Sequence, residues 1–178
     1  MRENPRGTAR GLQAARLGAA RQPLDAHLAG GYVKTTVRAS VKIDRPPEDI
    51  EAVLLDAEKA VLWTSDLERF EVVARPAGLV GSRARLHYKQ GNSRYIMEDE
   101  LLQVEPKRRY LSRVTGDAIE AEVETVLTPI SGGTQVSVRW SGSGKPLLLR
   151  LLLPFMRTSI ARQTRKDLMK LKAVVESV

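Results

Sequence analysis

Residues 33–66 read VKTTVRASVKIDRPPEDIEAVLLDAEKAVLWTSD, and the change of period inside this stretch decides the fold. Its first part alternates: Val33, Thr35, Val37, Ala39, Val41 and Ile43 fall on one side, with Lys34, Thr36, Arg38, Ser40 and Lys42 on the other. Period two with one apolar face is a half-buried strand. Pro46-Pro47 then end the strand. Glu48, Asp49 and Glu51 follow, acids in a helix first turn, where they complement the dipole. The spacing beyond them predicts two short helices, broken near Asp56, the second ending around Trp63.

Further along, turn signals alternate with five or six strand-like runs up to Gly144, and one long helix closes the chain. Strand, helix pair, antiparallel strands and long helix make an α+β domain with the helices on one side of the sheet. Charge sets the registers. A turn at Gly91-Asn92 pairs Arg85 with Glu98 and Arg83 with Glu100, and brings Tyr88 to Tyr95 and Leu86 to Met97. A turn at Gly116-Asp117 pairs Arg113 with Glu120 and Arg109 with Glu124; its other face pairs Val114 with Ile119, Ser112 with Ala121 and Tyr110 with Val123. A third turn, at Pro106-Lys107, sets Glu100 opposite Arg113. One face is then laced with ion pairs and the other is mostly apolar. Leu102 and Val104 fall on the charged face, and one bulge after Asp99 would reverse them. His87 falls on the outer face beside Ile96.

The closing helix carries a stripe of Ile160, Thr164, Leu168, Leu171, Val175 and Val178, with Arg162, Arg165, Lys166, Lys170 and Lys172 off it. A curved sheet wrapped on a long helix cannot touch it everywhere, which leaves a gap for side chains or a ligand. At 178 residues and 42% hydrophobic the chain suits one well-filled domain, residues 31–178. Without cysteine, disulfide and thiolate chemistry are excluded, which suits a reducing cytoplasm. Two histidines, His27 and His87, without HExxH spacing, predict no metal, and nothing points to a cofactor.

Four segments carry a resemblance: VKIDRPPEDIEAVLLD (41–56), VEPKRRYLSRV (104–114), VLTPISGGTQVSVRW (126–140) and RKDLMKLKAVVES (165–177). In this order, residues 33–178 resemble the SRPBCC/START superfamily, the helix-grip fold of the birch-pollen-type allergens. Within it they look most like the bacterial polyketide cyclase/dehydrase and lipid-transport branch. The resemblance implies a curved antiparallel sheet around a long C-terminal helix, with two short helices after the first strand. It also implies an internal cavity for a hydrophobic ligand, but no shared catalytic motif.

The register supplies the expected lining. Strands contribute Ala84, Leu86, Tyr88, Tyr95, Met97, Asp99 and Leu101, then Tyr110, Ser112, Val123, Thr125, Val136, Val138 and Trp140. Trp63, Phe155 and Ile160 join them from the helical segments. Each aliphatic position is equally readable as core packing. The three tyrosines require polar company, water or ligand. Asp99 is the only strand carboxylate pointing inward; an apolar cavity would raise its pKa toward general acid or base use. Pairing with Ser112 or a tyrosine as a buried structural hydrogen bond is the alternative. The expected function is binding or transport of a hydrophobic small molecule or lipid, with a polyketide-type cyclase, aromatase or dehydratase as the alternative.

The formal charge of +8 sits at the two ends. Residues 1–30 hold five Arg against two acids, 31–143 are nearly balanced, and 144–178 hold eight basic residues against Asp167 and Glu176. A neutral body and few aromatics argue against nucleic acid. Residues 1–30 form a basic, Ala/Arg-rich extension, readable as a disordered or loosely helical tail, an organelle presequence, or translation from an upstream start. The run GKPLLLRLLLPFMRTSI (144–160) is too short and interrupted to span a bilayer. Pro154 should hinge it as a separate segment before the long helix. It is expected to be core or a lid, its leucines over the ligand and Arg150 and Arg157 toward solvent. With leucines and basic residues interleaved, 145–172 is also a candidate for contact with an anionic membrane.

Overall fold

Strand β1 forms over Thr35–Ile43 with Thr35, Val37 and Ile43 buried and Arg38, Ser40 and Lys42 exposed, the alternation its sequence carries. The structure, a computed structural model, describes residues 34–177. The 1–30 extension lies outside the described residues. Helix α1 (Pro47–Leu54) starts on Pro46-Pro47 with Glu48 and Asp49 in its first turn, and buries Ile50 and Val53. Asp56 ends the pause after it: its side chain accepts from the Glu58 and Lys59 amides and caps α2 (Ala57–Trp63).

Six strands follow: β2 (Leu67–Ala74), β3 (Arg83–Gln90), β4 (Ser93–Glu105), β5 (Arg109–Thr115), β6 (Ile119–Ile130) and β7 (Gly133–Gly144). They join β1 in one antiparallel, curved sheet of order β1-β7-β6-β5-β4-β3-β2. Helices α3 (Leu147–Leu152) and α4 (Arg157–Glu176) close the chain. This is the helix-grip arrangement.

The β3–β4 register is the expected one, Arg83 with Glu100 through Tyr88 with Tyr95. Gly91 holds it at φ 60°, the left-handed conformation a two-residue hairpin needs at its first turn position. The β5–β6 hairpin differs. Tyr110 pairs with Thr125, Ser112 with Val123 and Val114 with Ala121, two residues from the expected partners. Gly116 is not left-handed; it stays in the ladder, its amide bonded to Ile119 O, with the Met97 side chain against its Cα. The turn therefore moves to Asp117-Ala118. A shift of two keeps every side chain on its face. The expected ion pairs survive as diagonals, Arg109–Glu124 at 2.7 Å and Arg113–Glu120 at 3.8 Å.

Between β4 and β5 two departures cancel. The loop has three residues, Pro106 to Arg108, with Lys107 at φ 60°. A bulge between Leu101 and Gln103 absorbs the extra residue. Beyond it Glu100 faces Arg113 as expected, and on the turn side Val104 pairs with Tyr110 and packs inward. His87 lies opposite Ile96 on the outer face, 2.8 Å from Glu71.

The main core joins Ile43, Ile50, Val53, Tyr110, Leu127 and Val136 to Leu168, Leu171 and Val175 of α4. Full burial of each aliphatic side chain contributes about 1.5–3 kcal/mol. A smaller cluster of Ala60, Leu67 and Leu86 sits under α2, with Phe70, Tyr88, Met97 and Val114 against it.

Candidate ligand cavity

Between these two clusters the inner face carries a mixed set of residues. Asp99, Ser112, Val123, Thr125 and Trp140 belong to neither and are half-buried. One transverse row of this face is built largely of small residues: Ala84, Asp99, Val114, Ala121 and Gly142 are successive register partners from β3 to β7, and three of the five are alanine or glycine. All buried side chains of α4 lie in its C-terminal half, at Leu168, Leu171 and Val175, and none between Arg157 and Asp167. Its backbone runs closest to β1, α1 and α2.

Trp140 shapes the floor. A Cβ on Gly142 would stand 2.5 Å from the indole and 2.9 Å from the Ala121 methyl, so the ring lies folded over glycine, toward the Asp99 row. Strands β4 and β7 are three apart, which puts Asp99 and Trp140 about 14 Å from each other along the sheet at ~4.8 Å per strand.

Asp99 is the chemical group of this floor. Burial pushes its carboxyl up to about 6, against a hydrogen bond from the Ser112 hydroxyl that pulls down. Ser112 is its diagonal neighbour, because Leu101 pairs with Ser112 and Asp99 with Val114. Tyr88 is raised well above the usual phenol range, first by burial, then by Tyr95, Asp167 and Asp99. Its ring stacks on Tyr95 with centroids 5.2 Å apart. Asp167, which the sequence reading did not single out, is also raised by burial, and accepts from the Ser65 amide at 3.0 Å and Gln163 Nε2 at 3.3 Å. Its signal was its place one residue from the Thr164/Leu168 stripe. Trp63 Nε1 is shut off from solvent and has no acceptor among the described residues.

The expected lining residues divide. Leu86, Tyr88, Met97, Asp99, Ser112, Val123, Val138 and Trp140 share the inner face, with Trp63 at the end of α2 and Ile160 half-buried on α4. Tyr95 is on that face but 43% exposed, beside the β3–β4 turn. Tyr110 is corrected: it is buried in the packed core, its hydroxyl bound to Glu51 and the Lys107 amide at the edge of the sheet. Phe155 is corrected too, standing 84% exposed. The leucines of α3 do not cover the interior. Gly144 lets the α3 backbone rest on β7, a Cβ there falling 2.7 Å from Leu149 C, and only Leu153 is buried while Leu147, Leu148, Leu151 and Leu152 face out. Arg150 turns back, Nε to Gly144 O at 3.0 Å.

Two clefts lie elsewhere. One of about 470 Å³ is lined by Arg38, Ser40, Glu124, Ser137 and Arg139 of the outer sheet face, and one of about 600 Å³ by Glu48, Glu51, Glu58 and Arg75 beside α1 and α2. Both are open to solvent and lined by charged residues. No helix among the described residues is long and apolar enough to cross a membrane.

Comparison with known proteins agrees with this architecture. Among curated proteins, none matches the chain in sequence. The solved structure of DR_A0006 from Deinococcus radiodurans is 28% identical, with 78% of this chain and 95% of that one covered, at a TM-score of 0.57. An aromatase/cyclase (ZhuI) from Streptomyces sp. R1128 is 15% identical over 81% and 94%, at 0.69. A START superfamily protein from Mycobacterium smegmatis is 16% identical over 80% and 97%, at 0.66. The sequence profile described as polyketide cyclase / dehydrase and lipid transport matches residues 34–176. On that match, the chain belongs to the polyketide cyclase/dehydrase and lipid-transport family, and its fold is shared with the START superfamily protein.

Proposed function

We propose that this chain binds or carries a hydrophobic small molecule or lipid in the gap between the inner face of β3–β7 and the first half of α4. The observation that carries the reading is the row of small residues on the inner face, together with a first half of α4 that holds no fully buried side chain. The partner also includes an anionic lipid surface met by residues 145–172, and a cytoplasmic setting fits a chain without cysteine. The full chain, purified without denaturation, is extracted for mass spectrometry and titrated with oleate. Trp63 and Trp140 are its only tryptophans, so their emission reports on the gap directly. A bound apolar molecule, or a saturable change in emission, is the expected result. A chain that releases none and ignores oleate overturns the reading.

A second reading rests on Asp99. A carboxyl that titrates near 6 beside Ser112 supports proton transfer to or from a ligand, as a polyketide-type cyclase or dehydratase requires. Asp99→Asn separates the two: a carrier keeps its ligand with affinity within a few-fold, whereas an enzyme loses turnover about 10²–10⁴-fold.

A further inference from the structure

Six large apolar side chains exposed to solvent, Leu147, Leu148, Leu151, Leu152, Phe155 and Met156, fall within ten residues. Positions 147, 148, 151 and 152 repeat at one- and four-residue steps and make one face of α3. The opposite face is already packed, through Leu153 and the approach of Leu149 to Gly144. The outward leucines are therefore not core side chains left over. Phe155 extends the patch into the turn before α4 and is 84% exposed. Contiguous apolar surface of this kind marks an interaction site.

The charges around it select the partner. No Asp or Glu occurs between Glu124 and Asp167, while Lys145, Arg150, Arg157, Arg162, Arg165 and Lys166 all lie in that interval. Lys145 and Arg157, at the two ends of the patch, are exposed, as is Arg162 one turn into α4. A second copy of the chain would bring these cations against themselves in a two-fold contact, with no acid in the segment to meet them. An anionic leaflet offers an apolar interior beneath negative headgroups, which matches both parts.

We propose that α3 and the turn from Leu153 to Met156 insert their outward face into the surface of an anionic lipid bilayer. Phe155 and the leucines enter the acyl boundary and the flanking Lys and Arg stay at the headgroups. α3 is six residues, about 9 Å at 1.5 Å per residue, so it lies in the interface and does not cross it. The proposal rests on the reading of 145–172 as lipid-facing and names the face that does it. It moves the leucines from over the ligand to the outside.

The test uses the full chain with vesicles of phosphatidylcholine alone or mixed with phosphatidylglycerol, in flotation at two salt concentrations. Binding is expected to the mixed vesicles and to weaken with salt. The variant Leu148→Ser/Leu151→Ser/Phe155→Ser, which keeps every charge, is expected to bind them at least tenfold more weakly, with unchanged circular dichroism. A variant that binds as tightly as the wild type overturns the proposal and assigns the lipid contact to basic residues elsewhere. A wild type that ignores vesicles but dimerises, with dimerisation lost in the variant, overturns it in favour of a second copy. A wild type that does neither overturns the lipid-surface reading as well. The oleate response of the tryptophans, measured on the same variant, stays at its wild-type value in every case where the cavity reading holds.

Discussion

The Tyr110 hydroxyl donates to Glu51 Oε1 at 2.5 Å, across 59 residues of sequence. The same oxygen of Tyr110 accepts from the Lys107 amide at 2.9 Å, and Glu51 takes that amide as well at 3.1 Å. Helix α1 is thereby tied to the β4–β5 turn, and the left-handed Lys107 is held by the two groups its amide reaches. Tyr110→Phe removes a hydrogen bond to a carboxylate in a partly buried place, and should cost about 1–2 kcal/mol. Urea unfolding measures it. Oleate binding should not change, because the hydroxyl points away from the gap.

Gly142→Ala tests the floor. The new methyl meets the Trp140 ring at 2.5 Å and the Ala121 methyl at 2.9 Å, so the indole must swing up into the gap. Tryptophan emission should shift without ligand, oleate affinity should fall by about tenfold or more, and stability should drop by about 1–3 kcal/mol. Unaltered emission would mean that the ring does not border a ligand space.

Asp99 predicts a pH signature. Its folded-state pKa is raised, from 3.8 to about 6, so the folded protein holds this proton where the unfolded chain has lost it. The proton's contribution is complete below pH 3.8 and is lost as pH rises through about 6. Relative to wild type, Asp99→Asn should be equally stable near pH 3.5 and more stable above pH 6, by at most about 3 kcal/mol for a shift of about two units. Urea titrations of both proteins across this range check the sign. A difference that stays constant with pH would put Asp99 in solvent.

Two leucines within three residues of Pro154 should behave oppositely. Leu153, 1% exposed, packs on the sheet, and Leu153→Ala should cost about 2–4 kcal/mol. Leu151, 64% exposed, should tolerate alanine within about 0.5 kcal/mol. Thermal or urea unfolding of the pair reads which face of α3 is packed.

Much of this fold was legible in the sequence because its signals are local. The alternation of residues 35–43, the Pro46-Pro47 start, the Asp56 cap and the Gly91 turn each act within a few residues. The inward placement of Asp99 followed from one hairpin whose glycine fixes the register. The β5–β6 hairpin was misread by two residues because Gly116 looks like a turn glycine. Its backbone is not left-handed, and its amide bonds to Ile119 O instead, so the turn falls at Asp117-Ala118. Asp167 escaped notice since helical spacing ranks apolar residues, and its partner Ser65 lies 102 residues earlier.

The order of elements, the family and most strand faces were readable from the sequence, whereas Val104 takes the inner face only through the bulge in β4. Period and turn chemistry are properties of adjacent residues, and a register error of two leaves faces unchanged. Only the tertiary structure decided what those faces meet. Tyr110 and Trp140 are both inward aromatics, yet one is locked to Glu51 and the other lies folded over Gly142. The leucines of residues 147–153 look alike in sequence, yet Gly144 seats one face of α3 on β7 and leaves the other to solvent. Contacts between residues far apart in the chain make these choices, and hydrophobicity alone does not record them.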